Sequence, residues 1–162
     1  MKVVSADRKN RGMTLKSIRA FMNTATTGRI ATISPNGTPY IVPVYFVLED
    51  DRIYIHCSPE GKKLDHIQAN PAVCFEADEE VEQVIVPEKP CKSNTYYRSV
   101  IATGKATIVE DPDQKARIIS ALTAKFSRGQ RMGKIPADAV ERTCVIEIMV
   151  DEISGKALLP EK

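Results

Sequence analysis

Residues 29–64 read RIATISPNGTPYIVPVYFVLEDDRIYIHCSPEGKKL, and their pattern decides the fold. Arg29–Ser34 alternates apolar and polar side chains and predicts a strand. Pro35-Asn36-Gly37 is a turn signal, because Asn-Gly accepts the positive φ of a tight hairpin. Pro39–Leu48 is a second strand, apolar on both faces, and Glu49-Asp50-Asp51 turns the chain into a third, Arg52–Cys57. Consecutive strands joined by short turns make an antiparallel meander. Pro43 has no N–H to give a ladder, so the middle strand must lie at an edge or bulge there.

The pattern changes period on either side of the meander. Upstream, Thr14 is a candidate N-cap, and Leu15, Ile18, Phe21, Met22 and Ala25 recur at helical spacing until Gly28. Downstream, Ser58 suits an N-cap and Pro59 the first helical position of a helix that Asn70-Pro71 breaks. Ala72–Asp78 is a strand, and residues 79–94 read as a long irregular excursion. Thr95–Val109 is a long strand that Gly104 bends or bulges. Asp111-Pro112 opens a helix whose Ile118, Ile119, Leu122 and Phe126 share a face. Ser127–Ala139 reads as a basic loop and Thr143–Ile153 as the last strand. About six mostly antiparallel strands with three helices predict a mainly β protein built as a small closed or nearly closed barrel.

The bulk numbers bound the function. A chain of 162 residues suits one domain, expected over 14–162, with 1–13 as a flexible N-terminal arm. A net charge of +2 is too small to argue for nucleic acid or an anionic membrane, and neither is expected as partner. No apolar run approaches a membrane span, and no signal-peptide core opens the sequence, so the expected setting is cytoplasmic. The cysteines at 57, 74, 91 and 144 form no CxxC pair, and only His56 and His66 accompany them, so no metal site is expected. Cys57, Cys74 and Cys144 read as small buried hydrophobes and Cys91 as exposed.

Lys62 and Lys63 fall at the start of a helix, where the dipole disfavours cations. A bound phosphate would reverse that penalty, since the free backbone N–H groups already point at such a site. A pair of solvated surface lysines is the plainer reading, and this segment alone leaves the two open. Alternation puts Tyr54, His56 and Ser58 on one face of their strand. His56 is then placed to bond a ligand phosphate or act as an acid, or else to sit half-buried against backbone. Arg98 suits a phosphate or carboxylate, with the acids of 76–82 as its alternative partners. No nucleophilic triad and no glycine-rich dinucleotide loop can be assembled.

The segments GRIATISPNGTPYIVPVYFV, IYIHCSPEGKKLDHIQANPAVCFEAD and CKSNTYYRSVIATGKATIVEDP, in that order, resemble the pyridoxamine 5′-phosphate oxidase-like FMN-binding split barrels. The chain looks most like their nitroimidazole-resistance branch over roughly residues 14–153. The resemblance implies a six-stranded antiparallel split barrel and a homodimer with FMN at the subunit interface. Val42, Pro43, Val44 and Tyr45 would lie along the flavin ring. His56, Cys57, Ser58, Lys62 and Lys63 match the phosphate-binding positions, and Arg98 and Ser99 the partner-subunit contact. Ser99 stands where the pyridoxamine oxidases usually carry Gln, and the chain lacks their tryptophan- and arginine-bearing C-terminal segment. The implied activity is therefore reduction of a small aromatic or nitro-type substrate by an FMN-dependent oxidoreductase, with His56 as candidate catalytic residue. The alternative is a non-catalytic FMN- or haem-binding store or sensor, for which His56 and His66 are the available axial ligands.

Overall fold

A computed structural model describes residues 1–5, 11–127 and 129–160. In chain order the elements are β1 (Lys2–Val3), α1 (Leu15–Thr24), β2 (Thr27–Ile33), β3 (Pro39–Glu49), β4 (Arg52–Cys57), α2 (Lys62–Ala69), β5 (Ala72–Val84), β6 (Asn94–Ile108), α3 (Pro112–Ser127), α4 (Ala137–Glu141) and β7 (Cys144–Leu158). Six strands form a closed antiparallel ring in the order β7-β4-β3-β2-β5-β6, with β6 returning to β7. The two-residue β1 adds a seventh strand, parallel to β7. This is the expected small antiparallel barrel.

Its interior is filled from every strand of the ring: Ile30, Phe46, Ile53, Ile55, Phe75, Ala102 and Ile146 are at most 1% exposed. Phe46 and Phe75 meet edge to face, 4.8 Å between centroids, so truncating either to Ala would cost about 3–5 kcal/mol. Ile18, Phe21 and Met22 of α1 plug the barrel at their predicted helical spacing, under a Thr14 cap whose Oγ1 accepts the Ser17 N–H at 3.2 Å. The outer sheet face carries a second cluster, in which Val47, Tyr54 and Val145 pack beneath Ile118 and Leu122 of α3. That second layer explains why β3 is apolar on both faces.

Pro43 is opposite Arg29 of β2, and β3 meets β4 only from Phe46 onward, so the strand is open-edged at the proline. The register between β6 and β7 shifts between Thr103 and Gly104, as the glycine suggested. A Cβ at Gly104 would collide with the Met149 carbonyl oxygen, so close backbone approach is what this position requires.

Several expectations are corrected. Residues 79–94 are not an irregular excursion: β5 runs on to Val84 and pairs with β6 as far as Asn94, leaving a short connection around a turn at Pro90–Lys92. The alternation is masked there by Glu79, Glu80 and Glu82, whose side chains sit on a strand extension with little to bury. Likewise β7 extends to Leu158, and part of the basic loop forms α4. Of the 1–13 arm, Lys2–Val3 pair with Glu152 and Ile153 and Gly12 bridges Lys156, while 6–10 lie outside the described residues. Leu15 is 36% exposed, so the buried face of α1 starts at Ile18. Cys144 is buried and Cys91 exposed, but Cys57 and Cys74 are only half-buried. Among the described residues no helix is long and apolar enough to cross a membrane.

Candidate functional site

The open edge of β3 forms one wall of a cleft of about 470 Å³. The end of β4 and the head of α2 close it, bringing together Val42, Pro43, Val44, Tyr45, His56, Cys57, Lys62 and Lys63. Ser58 is exposed and does not line this cleft. Ser58 also does not cap the helix: α2 begins at Lys62 with Gly61 as N-cap. Pro59 is accordingly outside the helix. The reason is Gly61, whose φ of 135° breaks the chain direction between the loop and the first turn. The delayed start moves both lysines to the first two helical positions.

The Leu64 and Asp65 N–H groups both turn back to the Gly61 carbonyl. Those of Lys62 and Lys63 are the free donors that a helix N-terminus presents. With no side chain at Gly61 and nothing within 4 Å of where its Cβ would be, the approach to these donors is open. Two lysines and the first N–H groups of α2 thus line one cleft, the composition of an anion seat.

His56 and Tyr45 line the same cleft from β4 and β3. The His56 Nδ1 is buried and has no hydrogen-bond partner among the described residues. Leaving a polar atom so costs about 1–3 kcal/mol unless a ligand pairs with it. Burial also lowers the His56 pKa, so the imidazole is neutral at pH 7. Cys57 is opposite Cys144 across the β4–β7 ladder. Burial, then the Cys144 neighbour, push its thiol up to about 11, against the pull of Lys63. A thiol held protonated in this way is a poor nucleophile.

Thr27 and Tyr40 also line the cleft and were not anticipated. Tyr40 shares the alternation of Val42 and Val44, a signal the sequence does contain. Thr27 arrives only through its register opposite Tyr45. The Tyr40 ring stands edge-on to His66 at 5.5 Å and lies 6.0 Å from Lys62 Nζ. His66 itself is 8% exposed, and its Nδ1 is 3.0 Å from the Thr32 hydroxyl. It is a packed structural residue.

Arg98 and Ser99 lie away from this cleft on β6. Arg98 pairs with Glu79 of β5, one of the acids named as its alternative partners. Within one chain, therefore, the anion seat and Arg98 are separate.

A ring of six antiparallel strands with one open edge beside an anion seat defines a split barrel. The chain belongs to the pyridoxamine 5′-phosphate oxidase family, whose family model matches residues 15–157. A search of curated protein sequences gave no match. Among solved structures it is similar to a candidate 5-nitroimidazole antibiotic resistance protein from Bacteroides thetaiotaomicron, at 24% identity and TM-score 0.77, over 90% of this chain and 86% of that one. It is also similar to the flavocytochrome Anf3 from Azotobacter vinelandii, at 20% identity and TM-score 0.80, over 96% and 72% of the two chains. A FAD- and haem-binding protein from Mycobacterium smegmatis aligns at 19% identity and TM-score 0.77, over 92% and 74%. Identities this low establish the shared fold.

Proposed function

We propose that this protein is an FMN-binding oxidoreductase that reduces a small aromatic, nitro-type substrate as a cytoplasmic homodimer. The observation that carries the reading is the pair Lys62 and Lys63 at the open head of α2, directly beside the unpaired edge of β3. One end of the cleft suits a phosphate, and the strand edge offers backbone groups and the flat faces of Pro43 and Tyr45 to a ring. The partnerless His56 Nδ1 supplies a further polar contact. A single anion seat favours a mononucleotide, FMN, over FAD. The solved structures described as a nitroimidazole resistance protein, a flavocytochrome and a FAD- and haem-binding protein support a redox role.

Bound flavin would supply the electron transfer, so the chain needs no triad of its own. Lys62, Lys63 and the first N–H groups of α2 hold the phosphate end. Val42 to Tyr45 orient the ring, and His56 holds a neutral imidazole at the cleft's inner end. Exposed Ile41, Ile101 and Met149, at 59%, 42% and 50%, support a covering partner subunit. In a dimer Arg98 and Ser99 would reach the partner's cleft. Four unbridged cysteines are in keeping with a reducing compartment.

The test is the visible spectrum of the purified protein, with released ligand identified by mass. Flavin bands are expected, and Lys62→Ala with Lys63→Ala should lower flavin content. Full occupancy in that double variant would remove the phosphate assignment. The second reading, a haem-binding store or sensor, draws on the partnerless His56 nitrogen as an axial ligand. A Soret band in place of flavin bands would select it.

A further inference from the structure

The buried face of α2 carries a polar residue between two apolar ones: Leu64, His66 and Ile67. Leu64 and Ile67 join the barrel core. Apolar contacts of this kind hold the helix down but are non-directional, so they set its rotation about its own axis only loosely. His66 supplies a direction. Its Nδ1 is 3.0 Å from the Thr32 hydroxyl oxygen, which is also 3.5 Å from the Tyr40 carbonyl oxygen. Thr32 is 1% exposed and pairs with Tyr40 in the β2–β3 ladder. One buried hydroxyl thus faces both α2 and the open stretch of β3.

The Tyr40 side chain closes the link. Its ring stands edge-on to His66, and Lys62 Nζ reaches its face at 6.0 Å, the outer range of a cation–π contact. Lys62 and His66 are four residues apart, so they share a helix face, and Tyr40 packs against both. The loop before the helix does little to fix its head: residues 58–61 are exposed, and the Gly61 N-cap has no side chain to cap with. A seat built of helix N–H groups works only while those groups point at the ligand, because a hydrogen bond weakens steeply off its axis.

We propose that His66, acting through Thr32 and Tyr40, is the positioning residue of the anion seat. It sets the rotation of α2 that turns Lys62 and the first N–H groups toward the open edge of β3. This rests on the flavin reading above, in which those groups take the phosphate. His66 does not line the cleft, so its effect on a ligand passes through the helix and through Tyr40. The effect falls on the phosphate monoester and spares the ring. Loss of the link should weaken FMN and leave riboflavin, the same ring and side chain without the phosphate, as it was.

The experiment is fluorimetric titration of the protein, freed of bound flavin, with FMN and with riboflavin. Wild type should hold FMN about a hundredfold tighter, from two or more charge-assisted hydrogen bonds to the phosphate. His66→Leu, which keeps an apolar contact, and Thr32→Val, which trades the hydroxyl for a methyl group, should each narrow that ratio about tenfold with riboflavin affinity unchanged. Thr32→Ser keeps the hydroxyl and should keep the wild-type ratio. Circular dichroism establishes which variants fold, and should one of the first two not fold, the other decides. A folded His66→Leu or Thr32→Val protein with the wild-type ratio, an equal fall in riboflavin affinity, or no rescue by Thr32→Ser overturns the positioning role alone. Equal affinity of wild type for the two ligands removes the phosphate seat itself, and uptake of neither overturns the flavin reading beneath it.

Discussion

Replacing Lys125 by Met should destabilise the protein and remove a pH dependence. Lys125 leaves the last turn of α3 and places its Nζ 2.9 Å from the carbonyl oxygens of both Met22 and Phe46, so one ammonium ties α1, β3 and α3 together. It also lies 3.9 Å from the centroid of the Phe46 ring. Two charge-assisted hydrogen bonds are worth about 1.5–3 kcal/mol each. The ring contact adds about 0.5–2 kcal/mol. Opposing them is the cost of burying the ammonium, which pushes its pKa from 10.5 down to about 8. That fall corresponds to about 3 kcal/mol, and because the side chain is only half-buried we discount it to about 1–2 kcal/mol. The net loss on Lys125→Met, at pH 7, is then about 2–7 kcal/mol, visible as a urea midpoint lower by about 1–3 M.

The pH arm has a definite sign. Below about pH 8 the amine is charged in both folded and unfolded chains, and the burial cost is present in full. Between about 8 and 10.5 the folded protein releases a proton that the unfolded chain keeps, so Lys125 contributes increasing stability as pH rises. The advantage of wild type over Lys125→Met should therefore widen by about 1–2 kcal/mol across that window. The assay is urea unfolding of both proteins at pH 7, 8, 9 and 10. An advantage that stays flat or narrows as pH rises, or a variant as stable as wild type at pH 7, refutes the reasoning.

Three further outcomes are expected. Gly104→Ala forces a methyl group onto the Met149 carbonyl oxygen at the β6 bulge and should cost about 3 kcal/mol or more, read as lost soluble yield and a depressed thermal midpoint; wild-type stability would mean the bulge relaxes freely. Tyr54→Phe removes the 2.9 Å hydrogen bond to Glu147, which keeps Arg52 and Gln114 as partners, and should cost about 1–2 kcal/mol in urea unfolding with the fold unchanged; a neutral or stabilising change would show that Glu147 is satisfied without the phenol. Burial places the His56 pKa below 6.5, so its imidazole proton resonance should titrate below that value. The unfolded chain then takes up the proton first as pH falls through 6.5, and stability drops with it. A midpoint at or above 6.5 rejects this.

The parts that could be read in advance depend on near neighbours in the chain. The β2–β4 meander followed from alternation and the Asn36-Gly37 turn, and Arg52–Cys57 was bounded correctly because charged turns and a loop flank it. Gly104 was recognisable because a glycine inside a strand seldom has another use. Lys62 and Lys63 stood out as cations at the wrong end of a helix, although the helix starts three residues later than the Ser58 cap suggested. Propensity favoured a Ser-Pro start, and the backbone of Gly61 overrode it.

What lay beyond reach is set by pairings distant along the chain. The closure of β6 on β7, the tie of Lys2–Val3 to β7 and the acidic run of β5 as a paired strand all depend on partners that local pattern does not name. The same holds at the site. Thr27 enters the cleft only through register, and Phe126 reaches Tyr45 only because α3 packs over β3 some eighty residues away. Composition and periodicity therefore settled the strand class, the turns and the lysine pair, since these are properties of consecutive residues. The ring closure and the burial of His56 were decided by tertiary packing, because burial is a property of what surrounds a residue in space.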